Sequence, residues 1–223
     1  MRKIHKLASI LGLGITLNVP AFAANHLMEF KAEKRGSDFE RHFAELHSSW
    51  GMQGVGLLGT TLELNGTTWF GHTVTHIHPG FTYMIPVVGK FYAGPVMKYD
   101  YVVDKDDALK SGLGWAYAGF KGIKLAGQFR YDYQLGDDGF DLVRTDVLAG
   151  FPITGIGYLT ATFTNMNPLE GPLSESWQEL EMEFKYTGFS GIHPYVATTI
   201  TSDSEPLGQG DDAYIIGLYI PFS

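Results

Sequence analysis

The chain has 223 residues, of which 28 are glycine and none is cysteine, and an aromatic content of 14%. The missing cysteines exclude a disulfide-stapled fold, and no stretch beyond the amino-terminus approaches the roughly 20 apolar residues of a membrane-spanning helix. A formal charge of −8 with no basic patch excludes nucleic acid as a partner class.

Taken in chain order, MRKIHK is a basic start, LASILGLGITLNVP an apolar run, and Ala21-Phe22-Ala23 a small-x-small site. Together they predict a secretory signal peptide over residues 1–23, with a single domain over 24–223. The remaining 200 residues carry 13 basic against 24 acidic side chains, a formal charge of −11. High glycine and aromatic content fits an all-β chain, and no repeat, linker or low-complexity block divides it.

Twelve segments with a two-residue alternation follow. They are His26–Lys34, Phe39–Ser48, Gly54–Leu64, Val74–Ile85, Phe91–Val103, Gly112–Phe120, Ile123–Gln134, Phe140–Phe151, Gly157–Asn165, Trp177–Tyr186, Ile192–Thr201 and Ala213–Phe222. The tenth, WQELEMEFKY, is the clearest: Glu179, Glu181, Glu183 and Lys185 share one face, and Leu180, Met182, Phe184 and Tyr186 share the other. The links after segments four, six, eight and ten are short (PVVGK, KG, PITG, TGFSG). Those after three, five, seven, nine and eleven are longer and polar (NGTTWFGH, DKDDALKS, LGDDG, NMNPLEGPLSES, SDSEPLGQGDD). A soluble sandwich has no reason to sort its loops by length. A twelve-stranded antiparallel transmembrane β-barrel of the outer-membrane type does, with tight turns on the periplasmic side and longer loops outside. Trp115 and tyrosines near segment ends suit the aromatic girdles of such a barrel.

Twelve strands tilted by ~40° enclose a backbone radius of roughly 12 Å, and side chains narrow it to the calibre of a small solute. By phase the inner face carries Glu29, Lys31 and Glu33, Lys98 and Asp100, Arg130 and Asp132, Arg144 and Asp146, and the three glutamates of the tenth segment. Such a face is less costly when water fills it, and a plug of mutually paired ions is the competing arrangement. On the last segment the corresponding face is Ala213, Ile215, Gly217, Tyr219 and Pro221, which is poorly polar for a lumen.

The run QFRYDYQ (Gln128–Gln134), with YAGPVMKYDY (Tyr92–Tyr101) before it and DLVRTDVLAGF (Asp141–Phe151) after it, resembles the central strands of the oligogalacturonate-specific porins. That family also holds the sialic-acid-inducible outer-membrane channel. The resemblance runs from about Val74 to the carboxy-terminus. It implies a monomeric twelve-stranded channel, in contact with outer-membrane lipid and lipopolysaccharide, that takes up small acidic oligosaccharides along inward basic side chains. Carried over by position, Lys98, Arg130 and Arg144 form the basic track, with Lys31 and Arg41 as additions. Asp100, Asp132, Asp146, Glu181 and Lys185 complete the expected pore lining. A guanidinium holds carboxylate in a planar fork, and weak binding at several sites lets a solute leave as well as enter. The chain departs from the family in having fewer inward arginines, with Gln128 at one such position, in its three inward glutamates on the tenth segment, and in ending on Ser223 after Phe222.

Other chemistry is weakly marked. GHTVTHIHPG places His72, His76 and His78 at alternate-residue spacing, but with no cysteine or carboxylate at ligand spacing, so no metal and no other cofactor is expected. A barrel hydrolase needs Ser or Thr beside a His. His193 and Thr199 are available, but no nucleophile elbow marks them, and the chain is expected not to be an enzyme. Asp104, Asp106, Asp107, Asp137, Asp138, Asp211 and Asp212 crowd the longer loops, where they are either simply solvated or bridged by divalent cations to lipopolysaccharide.

Overall fold

An alternation of apolar and polar side chains leaves each strand with one greasy and one wet face, and twelve such strands satisfy their backbone groups together only by closing on themselves. The computed structural model describes residues 22–35, 39–52, 55–66, 74–103, 105–136, 141–169, 176–202 and 212–222. Its strands are β1 (Phe22–Arg35), β2 (Phe39–Met52), β3 (Gly56–Gly66), β4 (Val74–Val88), β5 (Phe91–Val102) and β6 (Ala108–Tyr117). They continue with β7 (Lys124–Gln134), β8 (Leu142–Ile153), β9 (Gly157–Pro168), β10 (Trp177–Tyr186), β11 (His193–Thr201) and β12 (Ala213–Phe222). Each pairs antiparallel with its sequence neighbours, and β1 pairs with β12 from His26↔Phe222 to Arg35↔Ala213, so the barrel is closed.

The outer face is apolar. Ile216 is 66% exposed, Phe129 56%, Val196 55% and Leu113 55%, which no soluble sandwich would show to water. On β10, Leu180, Met182 and Tyr186 are exposed on that side, and the glutamates take the other.

Loop sorting is visible in the backbone. Turns 89–90, 118–123, 154–156 and 187–192 lie at one end, and each turns on a glycine with positive φ: Gly89 (59°), Gly122 (77°), Gly155 (74°) and Gly191 (76°). That region is costly for a residue with a Cβ. Two of these turns share a sequence, YAGFKGI (117–123) and YTGFSGI (186–192). In both, the tyrosine and phenylalanine meet edge to face, with centroids 5.0 Å apart for Tyr117–Phe120 and 5.1 Å for Tyr186–Phe189. Phe91 and Trp115 stack nearby at 6.4 Å, so aromatic rings gather at the short-turn end.

Two expectations need correction. The sixth strand begins at Ala108, not Gly112, because Ala108, Lys110 and Gly112 continue the inner face of DKDDALKS. The following link is 118–123 rather than Lys121-Gly122 alone, since the edge-to-face pair lifts Phe120 out of the strand. Several readings lie outside the described residues: the signal peptide up to residue 21, His72, Asp104, Asp137, Asp138, Asp211 and Ser223.

Candidate functional site

Cross-strand register decides which charges meet inside the barrel. On β5–β8, Lys98 stands opposite Lys110, Lys110 opposite Asp132, and Arg130 opposite Arg144. Four cations are therefore contiguous across four strands, and Lys124 adds a fifth nearer the short turns, its Nζ 5.0 Å above the Tyr158 ring. Three carboxylates share this wall. Arg130 donates to Asp132 in a fork, at 2.5 Å from Nε and 2.9 Å from the terminal nitrogen. Arg144 Nε donates to Asp146 at 2.7 Å, and Asp146 also accepts from Thr164 Oγ1 (2.8 Å) and Gln128. Asp100 lies between Lys110 and His78 Nδ1, the latter at 2.6 Å.

The opposite wall runs from β10 through β12 and β1 to β3. Its register places Glu179, Glu181 and Glu183 on β10, Glu29 and Glu33 on β1, Glu45 on β2 and Glu63 on β3 inside the barrel. Among the described residues, Lys185, Lys31, Arg35 and Arg41 are the cations on these same strands. Arg35 bonds Glu33 at 2.6 Å and reaches Glu179 on β10 at 3.5 Å. Lys31 Nζ lies 4.6 Å above the Phe43 ring, and Arg41 pairs in register with Glu33. Glu63 is tied to the basic wall, accepting from Lys98 Nζ at 2.7 Å across β4. Seams without Asp, Glu, Lys or Arg separate the walls: Thr160, Thr162 and Thr164 on β9, and His76, His78, Gly80 and Thr82 on β4.

The poorly polar inner face of β12 is explained by what covers it. Tyr195 of β11 and Tyr219 of β12 stack at 4.7 Å, and Ile215 is 4% exposed beside them. Gly217 makes room, for a Cβ there would stand 2.3 Å from the Tyr195 ring. The phenol of Tyr195 donates to Glu29 at 2.5 Å and that of Tyr219 to Glu183 at 2.9 Å, while Lys185 lies 4.5 Å above the Tyr219 ring. An apolar pad thus ends in two hydroxyls aimed at carboxylates.

All ten expected lining residues have inward register, but the basic track differs from its expectation in how its charges are held. Arg130 is buried, and Asp132 of its own strand already occupies its fork. Lys98, Lys110 and Arg144 are paired as well, with Glu63, Asp100 and Asp146, but their side chains stay 22%, 19% and 30% exposed, so they remain in reach of the lumen. Lys110, Glu63, Glu45, His47 and Tyr195 escaped the sequence reading, and Tyr219 was placed on the inner face without a role. Lys110 was legible in the continuing Ala108-x-Lys110-x-Gly112 alternation. The others depend on partners far along the chain.

His76 and His78 face inward with rings 5.6 Å apart, but His78 meets Asp100 through one ring nitrogen and Asn65 Nδ2 (3.4 Å) through the other. His193 and Thr199 lie six residues apart on β11, roughly 20 Å along an extended strand, so they form no common site. In the loops, Asp107 accepts from Tyr99 at 2.6 Å and from the Val102 amide at 3.3 Å, and Asp212 accepts from the Thr201 amide at 3.4 Å. These two carboxylates cap strand ends.

No protein-family model and no curated protein matches the chain. Solved structures do. A NanC porin structure superposes with a TM-score of 0.70 at 15% identity, over 86% of this chain and 98% of that one. The KdgM porin superposes at 0.62 with 10% identity, over 88% and 99%, and KdgM in complex with disordered oligogalacturonate at 0.60 with the same identity and coverage. The chain therefore has the fold of the NanC and KdgM porins, a closed antiparallel barrel of twelve strands.

Proposed function

We propose that the chain is an outer-membrane channel of a Gram-negative bacterium that passes small hydrophilic solutes, with acidic oligosaccharides as the class drawn to its basic wall. The observation that carries this reading is a closed barrel whose outer face is apolar while its inner face holds five cations in a row of four strands. In this reading residues 1–23 direct export, residues 24–223 form a monomeric barrel in lipid and lipopolysaccharide, and Arg144, Lys98 and Lys110 hand a carboxylate from one cation to the next. The oligogalacturonate bound to KdgM is a solute of that chemical class. Paired ions around Arg130 and Asp100 favour a second reading, a barrel locked by salt bridges that conducts nothing.

Planar-bilayer recording on the purified chain separates the two. The channel reading expects discrete conductance steps, with the current reduced by oligogalacturonate more than by a neutral sugar of equal length. A silent bilayer with correctly folded protein sinks it, and equal block by both sugars sinks the acidic solute. Topology has its own check. An epitope inserted near Asp106 is expected to react with antibody on intact cells, and one near Gly89 or Gly155 is not.

A further inference from the structure

We propose that Glu29, Glu45 and His47 form a binding site for a divalent transition-metal ion of the zinc class on the inner face of β1 and β2. Glu29 and Glu45 are direct cross-strand partners. Two carboxylates held opposite each other repel, and such a pairing is destabilising unless a cation lies between them. Lys31, two residues along β1 from Glu29, has its ammonium over the Phe43 ring on the far side from His47 in register. From that side the Lys31 ammonium acts on both carboxylates, and the His47 imidazole faces both from the other. Its Nε2 is 3.5 Å from Glu29 Oε2 and 3.6 Å from Glu45 Oε2. Both separations are too long for a strong charge-assisted hydrogen bond, and this solvent-shielded nitrogen of a partly exposed ring makes none of good geometry.

Those separations suit a metal instead. Zinc lies ~2.0–2.2 Å from imidazole nitrogen and carboxylate oxygen, which at a tetrahedral angle sets ligand atoms about 3.3–3.6 Å apart. The three ligand atoms lie within 4.8 Å of one another, so the remaining edge closes with a small side-chain rotation. Glu29 is already oriented for the task. Its Oε1 accepts the Tyr195 hydroxyl at 2.5 Å, which leaves Oε2 turned toward His47. That is the outer-shell support that metal-ligating carboxylates ordinarily have. Three protein ligands leave a fourth position for water from the lumen, the arrangement of an open zinc site. One nitrogen among the donors selects a borderline transition metal over calcium or magnesium, which prefer an all-oxygen shell.

Within the channel reading, such an ion neutralises two carboxylates of the acidic wall and narrows the lumen beside β1. The binding itself is independent of conduction, and the test uses it directly. The refolded full chain, stripped with a chelator, is titrated with cobalt(II) by absorption and with zinc by calorimetry. One zinc per chain is expected, displacing cobalt from a low-symmetry site, with no displacement by calcium at the same concentration. His47→Ala and Glu45→Gln are expected to lose stoichiometric binding. Glu181→Gln, on the same wall but outside the cluster, is expected to keep it. Folding of each variant is read from its heat-dependent mobility on a gel, and His47→Gln replaces any variant that fails to form the barrel. Absence of stoichiometric zinc binding overturns the proposal, as does unchanged binding without His47 or equal competition by calcium, either of which marks diffuse attraction to an acidic wall. A chain that binds zinc and does not conduct would refute the channel and leave the metal site standing.

Discussion

The two walls of the lumen are built on the same alternation yet hold their charges by different means. On β5–β8, Lys98, Lys110, Lys124, Arg130 and Arg144 share the wall with three carboxylates, and the arginine pairs are local: Arg130–Asp132 and Arg144–Asp146 join residues two apart on one strand. On the other wall, among the described residues, seven glutamates outnumber four cations, and several of its ties reach over intervening strands. Tyr195 meets Glu29 across 166 residues, Arg35 meets Glu179 across 144, and Tyr219 meets Glu183 across 36. Carboxylates in excess are tolerable on that side because tyrosine hydroxyls donate to them without adding charge and water reaches the rest. The arginines of one wall are thus held by pairs within a strand, while the other wall, besides its local Arg35–Glu33 pair, draws on ties that barrel closure brings together. The surplus of one sign on each side also sets up a field across the lumen rather than along it, so an anionic solute is expected to travel against β5–β8.

The comparison breaks most visibly when the basic wall is reversed. In the double variant Arg130→Glu, Arg144→Glu the whole lumen becomes acidic. At about 1 kcal/mol or less per charge in a hydrated pore, the summed change is a several-fold shift in permeability ratio. Reversal potential in a salt gradient is expected to move toward cations, and block by oligogalacturonate to weaken. Unchanged values for both would mean that these groups act only as structural pairs. Glu181→Gln removes a single charge from the far wall and is expected to move the reversal potential the other way, by a smaller amount.

Stability separates the walls further. Lys98→Met strips Glu63 of its ammonium partner and is expected to cost about 1–3 kcal/mol, read as a lower urea midpoint for the barrel in detergent. A long-range tie is weaker than an ion pair. Tyr219→Phe deletes one hydroxyl to Glu183 and keeps the stack on Tyr195, so a loss of about 1 kcal/mol is expected in the same assay. If the tyrosine proves as costly as the lysine, closure ties matter more to the acidic wall than its charges do. The smallest effect is expected at a turn remote from both walls. Gly122→Ala puts a Cβ at φ +77°, costing about 1 kcal/mol or less with no change in selectivity.

Much of this architecture was legible in one dimension because a strand repeats every two residues. WQELEMEFKY declares both of its faces without any partner, and so do the inward Arg130-x-Asp132 and Arg144-x-Asp146. The start of β6 was misread because DKDDALKS is dense in charge, which marks loops on average. Its alternation, carrying Lys110 inward, was the better guide. The turn 118–123 was misread because period-two apolarity in WAYAGF runs on past the point where Tyr117 and Phe120 pack on each other.

By itself the sequence determined the all-β class, the number of strands, the sorting of turns from loops and the face on which each charge lies, since all of these follow from local periodicity and turn chemistry. It could not determine which charges meet, because that depends on register between strands and on the seam between β1 and β12, which joins the two ends of the chain. Closure brings Glu29 under Tyr195, and the β1–β2 register sets it against Glu45 and His47. Closure also covers the apolar inner face of β12 with two stacked tyrosines. The excess of carboxylates on one wall and of exposed cations on the other is a property of the closed ring, made by bringing together residues that no short window of sequence contains.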